Sequence, residues 1–124
     1  MKNSRDQSPE IIINHWAEHF NNGNLEYLLN MYHKEATLLP TFLSKALSTR
    51  EQIEDYFIKT IEGQASVELD HDKTIIKRFS EDIYLMTGAY TFCIKTKDNA
   101  KYLSWFTFLI DLSADSPIKH HHSS

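Results

Sequence analysis

Residues 83–95 read IYLMTGAYTFCIK, and residues 102–112 read YLSWFTFLIDL. Both runs are rich in aromatic and apolar residues, and turn formers at residues 97–99 separate them, so they predict two long strands. A short connection between strands favours antiparallel pairing. Gly88, inside the first run, predicts a bulge or a sharp bend that helps the sheet to curl.

Three shorter strand-like runs accompany this pair. They lie at residues 67–70, 74–79 and 118–122. Turn formers at residues 80–82 precede the first long strand, and turn formers at residues 113–117 follow the second. The pattern therefore predicts a meander of strands from about residue 66 onward.

The N-terminal part of the chain has helical periodicity instead. Ser8 is a suitable N-cap, and Pro9 suits the first position of a helix. Gly23 suits the left-handed conformation that ends one. The apolar stripe of this predicted helix comprises Ile12, Ile13, Trp16 and Phe20.

Two more helices are predicted before the strands. Asn24 is a candidate cap for a short second helix that carries Leu25, Leu28, Leu29 and Tyr32. A short first strand is predicted at residues 36–40, and an irregular segment at residues 41–47. Ser48 and Glu51 have capping-box spacing for a third helix, which Gly63 ends. The apolar face of that helix comprises Ile53, Tyr56, Phe57 and Ile61.

Helices followed by a run of strands indicate an α+β fold, in which the helices pack on a strongly curved, mostly antiparallel sheet. A length of 124 residues fits one domain. We expect residues 1–8 to form a flexible N-terminal arm and residues 9–124 a single domain.

Charge and composition exclude several classes of function. The formal charge is −4 and no run of Lys and Arg occurs, so we expect no binding to nucleic acid. No apolar run approaches the length of a bilayer span, and no secretory signal precedes the helices, so we expect a cytoplasmic protein without a membrane partner. The single Cys93 permits no internal disulfide. We interpret it as an inert, buried thiol.

A resemblance adds to this interpretation. Several short pieces, in their order and spacing over residues 9–124, resemble the stand-alone bacterial members of the calcium/calmodulin-dependent kinase II association-domain family, within the nuclear-transport-factor-2-like superfamily. The pieces are Trp16-Ala17, Gly23-Asn24, Met31-Tyr32, ATLLP at 36–40, Tyr56-Phe57, GAYTF at 88–92, FTF at 106–108 and HHSS at 121–124.

The resemblance implies a cone-like domain with a ligand pocket in the concave face of the sheet. It also implies a homodimer or larger ring formed through the outer face of the sheet. It does not imply kinase activity, because the chain has no glycine-rich nucleotide loop and no catalytic-loop motif. Many relatives carry an arginine where this chain has Trp105, so we expect a flatter and less charged ligand here.

Aromatic residues and histidines are the candidate pocket residues. If Ile118 points into the core, strand alternation places His120 and His122 on the concave side, although they could equally be structural histidines or an exposed strand end. The aromatic residues could likewise be plain core. The predicted pocket residues are Trp16, Tyr32, Tyr56, Tyr90, Phe92, Trp105, His120 and His122.

Metal and cofactor sites are not expected. The segment from His15 to His19 matches an H-x-x-E-H pattern, but helical geometry turns Glu18 away from the apolar stripe, so we regard the match as accidental. Asp70 and Asp72 flank His71 in what we interpret as a solvated turn. We expect neither a metal nor a cofactor.

Three functions remain after these exclusions. The first is a small-molecule-binding domain that forms homo-oligomers. The alternative is an isomerase, dehydratase or cyclase that uses a pocket histidine or carboxylate with a tyrosine. Only Glu68, Asp70, Asp111 and the histidines could point inward, and this shortage of acids favours binding over catalysis. A pure oligomerisation module is a third hypothesis.

Overall fold

The computed structural model describes residues 8–124. The predicted arm lies outside this range except for its last residue, Ser8. The helices and strands, in chain order, are α1 (Pro9–Asn21), α2 (Leu25–Asn30), β1 (Tyr32–Leu39), α3 (Arg50–Glu62), β2 (Ala65–Arg78), β3 (Ile83–Ile94), β4 (Ala100–Asp111) and β5 (Ile118–Ser123), with a 3-10 turn at Lys95–Lys97.

The five strands form one sheet in the order β1-β5-β4-β3-β2. β1 runs parallel to β5, and the other neighbours are antiparallel. The apolar faces of the three helices and the inner faces of the strands share one core. The predicted fold class, an α+β cone with a mostly antiparallel sheet, is confirmed.

α1 begins and ends where the sequence predicts. The Ser8 hydroxyl accepts a hydrogen bond from the Ile11 amide, and Gly23 follows the helix with φ of +66°. The Asn21 side chain then ties the helix to the edge of the sheet: its amide donates to the Val67 carbonyl at 2.9 Å, and its oxygen accepts from the Val67 amide at 2.6 Å. This pair satisfies backbone groups on the open edge of β2.

Two helix boundaries differ from the prediction. α2 ends at Asn30, and Tyr32, which we assigned to that helix, starts β1 because it pairs with Ile118 of β5. The capping box of α3 is formed by Thr49 and Gln52, whose backbone and side-chain groups bond reciprocally. Ser48 and Glu51 have the same spacing one residue earlier, so spacing alone did not choose between them.

β2 is one strand, whereas we predicted two strands with a turn between them. Its pairing with β3 shifts between Asp70 and Ile75, directly across from Gly88. The irregularity predicted at Gly88 is therefore present, but the additional residues belong to β2. A Cβ at Gly88 would lie 2.7 Å from Cζ of Phe106, so the ring of Phe106 occupies the space that glycine leaves.

Within residues 8–124, no helix combines the length and the apolar character needed to cross a bilayer.

Candidate functional site

The orientation of β5 decides which histidine faces the interior. On β4, Ile110 and Leu109 are consecutive, but their partners on β5 are Ile118 and His120, so β5 contains an additional residue at Lys119. This bulge reverses the alternation after Ile118. His121 is consequently buried, with 2% of its surface exposed.

The prediction that His120 and His122 line the concave side is therefore wrong in orientation. His122 is exposed, and His120 is half-buried on the outer face, where its Nδ1 lies 2.6 Å from the Thr37 hydroxyl. Burial lowers the pKa of His120, and His122 adds to the effect. A one-residue insertion in a strand exchanges its two faces, and the sequence of β5 carries no glycine or proline that would mark it.

His121 lies between two buried tyrosines. Its Nδ1 is 2.8 Å from the Tyr32 hydroxyl, and its Nε2 is 2.9 Å from the Tyr90 hydroxyl. The Trp16 indole donates to the Tyr32 oxygen at 3.0 Å. The His121 ring also stacks on Phe108, with ring centroids 3.9 Å apart. The imidazole is thus held on both nitrogens and on one face.

The indole fixes the direction of this chain of hydrogen bonds. Trp16 can only donate, so the Tyr32 hydroxyl proton is free to point at His121 Nδ1. Tyr90 donates to Ser123 at 2.6 Å, so its oxygen accepts from His121 Nε2–H. His121 is thereby assigned as the neutral tautomer with its proton on Nε2.

The chain continues beyond Tyr90 to the loop after β1. The Ser123 hydroxyl lies 2.5 Å from the Thr41 hydroxyl, which donates to Ser104 at 3.1 Å. We call the seven residues the buried relay. They are Trp16, Tyr32, His121, Tyr90, Ser123, Thr41 and Ser104. No buried side-chain nitrogen or oxygen of the described residues is left without a partner.

The buried relay is uncharged at neutral pH. Burial lowers the pKa of His121 well below its usual range, with smaller contributions from His120 and His122. Burial raises the pKa values of Tyr32 and Tyr90, against the opposing hydrogen bonds of Trp16 and Ser123 respectively. A protonated imidazole would donate from both nitrogens, so the Tyr32 hydroxyl proton would lose the acceptor that it has at His121 Nδ1.

The concave interior is filled by these side chains. Trp16, Tyr32, Tyr90 and Phe92 are all brought together there, each with 4% or less of its surface exposed. Their rings contact one another, for example Trp16 with Tyr90 at 5.6 Å and Tyr90 with Phe92 at 4.6 Å between centroids.

Open space lies instead beside α3. A groove of about 470 Å³ runs between the loop at residues 41–47, α3 and the end of β3, and we call it the α3 groove. Tyr56 is the predicted pocket residue that lines it. The apolar lining of the groove is Phe42, Leu43, Leu47, Tyr56 and Ile94, and the charged lining of the groove is Lys45, Asp55, Lys59 and Lys97.

Phe42 separates the groove from the interior. Its ring contacts Phe92 at 5.3 Å and Tyr102 at 5.1 Å, and it follows Thr41, the relay residue in the loop. Burial raises the pKa of Tyr56, while a backbone hydrogen bond from Phe42 acts against it. Sequence analysis missed Phe42 and Leu43, although two consecutive large apolar residues in an irregular loop were a signal.

Trp105 lies on the outer face of the sheet. It is 56% exposed, and Leu103 on the same face is 65% exposed. The inward orientation predicted for Trp105 is wrong, because the inner face of β4 carries Ser104, Phe106 and Phe108. The expectation of a flat, weakly charged ligand depended on Trp105 facing the pocket, so it loses its basis.

Other candidates from the sequence are not assembled into sites. In the described part of the chain, no group of three or more His, Cys, Asp or Glu is placed to hold a metal. His15 and Glu18 are exposed on α1. Asp70 forms an exposed ion pair with Lys73 at 2.7 Å, within β2 instead of a turn. Cys93 is half-buried, so its predicted full burial is wrong.

Comparisons with known proteins agree with this fold. No family model matches the chain, and no curated protein matches it. Among solved structures, a Xanthomonas campestris protein assigned to the calcium/calmodulin-dependent protein kinase II association domain is 26% identical, with a TM-score of 0.78, over 90% of this chain and 81% of that one.

Two further structures share the fold at lower identity. An NTF-2-like protein of unknown function from Shewanella oneidensis is 18% identical, with a TM-score of 0.73 over 91% of this chain and 93% of its own. A ketosteroid-isomerase-like protein from Catenulispora acidiphila, solved in complex with trimethylamine, is 18% identical, with a TM-score of 0.63 over 95% of this chain and 86% of its own.

Three helices packed on a curved, mostly antiparallel sheet, together with these structural likenesses, define a nuclear-transport-factor-2-like fold. Among these structures, the chain is similar to the Xanthomonas association-domain protein over most of both chains, in agreement with the resemblance seen in the sequence.

Proposed function

We propose that this protein is a small-molecule-binding domain that forms homo-oligomers through the outer face of its sheet. The α3 groove is the proposed ligand site. The fold is one that serves ligand binding or cyclase- and isomerase-type chemistry among its neighbours, and the Catenulispora protein was solved with a small molecule.

The single observation that carries the binding role is the α3 groove itself. Its volume of about 470 Å³ lies in the range of small-molecule sites. Its floor combines the rings of Phe42 and Tyr56 with aliphatic side chains, and polar groups surround that floor. This mixture of a large apolar surface and a few polar groups is typical of ligand pockets.

Catalysis has less support than binding. The fully buried polar residues of the described chain are Ser104, His121 and Ser123, and none is an acid. Glu68 is exposed, Asp70 is paired with Lys73, and Asp111 accepts hydrogen bonds from Ser113. A general acid–base mechanism needs such a group facing the reacting atoms, and His121 is enclosed by its own partners.

The binding role is tested with N-phenyl-1-naphthylamine, a neutral fluorophore that brightens in apolar sites. We expect saturable binding, and we expect Thr60→Trp to abolish it because Thr60 lines the groove and a larger ring would fill it. Glu62→Trp is the matched control, since Glu62 is exposed on the same helix and does not line the groove. Binding that survives Thr60→Trp would exclude the α3 groove as the site.

The oligomer has its own supporting observation. Leu103, Trp105 and Ile75 are each more than half exposed on the outer side of the sheet or its edge. Large apolar side chains grouped on one exposed face typically mark a protein–protein contact. The family resemblance favours a second copy of the chain as the partner.

Light scattering at micromolar concentration tests this second part. We expect a dimer or larger ring for the native chain and a monomer for the double variant Leu103→Lys/Trp105→Lys. Ile11→Lys, which changes an exposed isoleucine on α1, is the control and should leave the mass unchanged. A native monomer would contradict the proposal.

A further inference from the structure

The α3 groove has an unusual balance of charge for this protein. The whole chain has 17 acidic against 13 basic residues. The groove reverses this ratio, because Lys45, Lys59 and Lys97 line it with Asp55 as the acid. The excess of positive charge therefore belongs to the groove and does not reflect the composition of the protein.

The three lysines approach the groove from different elements. Lys45 comes from the loop after β1, Lys59 from the last turn of α3, and Lys97 from the 3-10 turn after β3. Three cations on separate elements around one concavity add their fields inside it. A row of lysines along one helix would instead direct its charge outward into solvent.

None of these ammonium groups is neutralised by a neighbouring carboxylate. In the described part of the chain, ion pairs within 4.0 Å join Lys73 to Asp70 and Lys119 to Asp111. Asp55 precedes Lys59 by one helical turn, which is the spacing for an ion pair, and yet the two are not within that distance. The lysine charges are available to a ligand.

The floor beneath the lysines is apolar. The rings of Phe42 and Tyr56 and the side chains of Leu47 and Ile94 form it, and Leu47 is 3% exposed. Cations around an apolar floor match a ligand that has an anionic group at one end and an apolar body at the other. Lysine suits this role as a mobile point charge that reaches carboxylate, sulfonate or phosphate equally.

We propose that the α3 groove binds organic anions, with the apolar body against Phe42 and Tyr56 and the anionic group among Lys45, Lys59 and Lys97. This inference rests on the proposed binding role of the same groove and adds the class of ligand. It replaces the expectation of a weakly charged ligand that the sequence suggested through Trp105.

Two fluorophores that have the same rings and differ in charge distinguish the contribution of charge to binding affinity from that of apolar contact. The probes are 8-anilinonaphthalene-1-sulfonate, which is an anion, and N-phenyl-1-naphthylamine, which lacks the sulfonate. We expect the sulfonate to bind at least tenfold more tightly at low ionic strength. Its affinity should fall as salt rises, while that of the neutral probe should not.

Lysine variants locate the effect. Lys59→Gln and Lys97→Gln should each weaken the sulfonate about three- to tenfold, as expected for loss of one charge contact of about 1 kcal/mol, and leave the neutral probe unchanged. Lys34→Gln is the matched control, because Lys34 is exposed on β1 and does not line the groove. Competition between 2-naphthoate and decanoate then distinguishes a flat anion from a fatty acid as the preferred class.

The outcomes separate this inference from the proposed function. If both probes bind equally and Thr60→Trp blocks both, the groove is a binding site and the anion inference is overturned. If Thr60→Trp blocks neither probe, the proposed groove site fails, and with it the inference. The proposed function and the anion inference are both supported if the native protein prefers the sulfonate, if Lys59→Gln and Lys97→Gln lose this preference, and if Lys34→Gln keeps it.

Discussion

The buried relay and the α3 groove lie on either side of Phe42 and Phe92. They differ in whether their polar groups are hydrogen-bonded to one another or exposed to open space. In the relay every hydroxyl, the imidazole and the indole are hydrogen-bonded to one another, and all of these residues except the half-buried Thr41 are buried. In the groove the ammonium groups and the tyrosine border open space. Polar residues under a curved sheet can therefore be part of the packed core when they hydrogen-bond to one another. Space for a ligand is found outside this packed region, beside α3.

The largest expected contrast comes from removing one aromatic ring on each side. Trp16 is 1% exposed, and it contacts Phe20, Tyr90 and His121. Trp16→Ala should cost about 3–5 kcal/mol of unfolding free energy, because a cavity remains. Phe42→Ala should cost about 1 kcal/mol, since Phe42 is already 37% exposed. Urea unfolding followed by far-UV circular dichroism measures both, and equal losses would mean that the interior is not tightly packed.

A methyl group added to a glycine should have opposite effects in the two regions. In Gly88→Ala the new Cβ would lie 2.7 Å from the Phe106 ring, and such overpacking should cost about 1–3 kcal/mol. Gly63 lines the groove with ordinary helical φ and its nearest contacts at 3.5 Å. Gly63→Ala should be neutral or stabilising by about 0.5 kcal/mol. Thermal unfolding midpoints check the signs, and Phe106→Leu should partly rescue Gly88→Ala.

Removal of one hydroxyl sharpens the comparison further. Tyr90→Phe removes the acceptor for His121 Nε2–H and the donor to Ser123, so a buried N–H loses its partner. The expected cost is about 1–3 kcal/mol. Tyr56→Phe, at the half-buried groove, should cost less than about 1 kcal/mol. A neutral Tyr90→Phe would contradict the assigned hydrogen-bond direction.

The smallest expected effect is a pH dependence that belongs to His121. Its folded-state pKa lies below the ordinary value of 6.5 because of burial. The unfolded chain therefore binds more protons below pH 6.5, so stability is fully present above that pH and is lost as the pH falls. The slope from this one group is at most about 1.4 kcal/mol per pH unit. Urea midpoints from pH 7.5 to 5 should show the additional slope in the native chain and not in His121→Phe.

The sequence predicted the elements better than it predicted their faces. The Ser8 cap, the end of α1 at Gly23 and the long strands of residues 83–95 and 102–112 depend on local chemistry and were found within a few residues. The inward face of β5 depends on one additional residue at Lys119, which only pairing with β4 reveals. For the same reason, the two histidines that flank His121 were assigned to the wrong side. Trp105 was assigned to the wrong side for another reason, because the inner face of β4 carries Ser104 and Phe106 instead.

The candidate site was less accessible to sequence reasoning than the fold. Of the eight predicted pocket residues, Tyr56 lines the groove, while Trp16, Tyr32, Tyr90 and Phe92 fill the interior. An inward aromatic side chain can line a pocket or pack in the core, and which of the two occurs depends on how completely its neighbours fill the space. That is a property of the assembled packing and not of the residue type.

The sequence by itself determined the helices, the strands, their order and the α+β class, because caps, turn formers and hydrophobic periodicity act over a few residues. Only the tertiary structure decided that His121 is enclosed between Tyr32 and Tyr90, and that Lys45, Lys59 and Lys97 converge on one groove. These arrangements join residues far apart in the chain, and their geometry follows from strand register and packing, which no local pattern encodes.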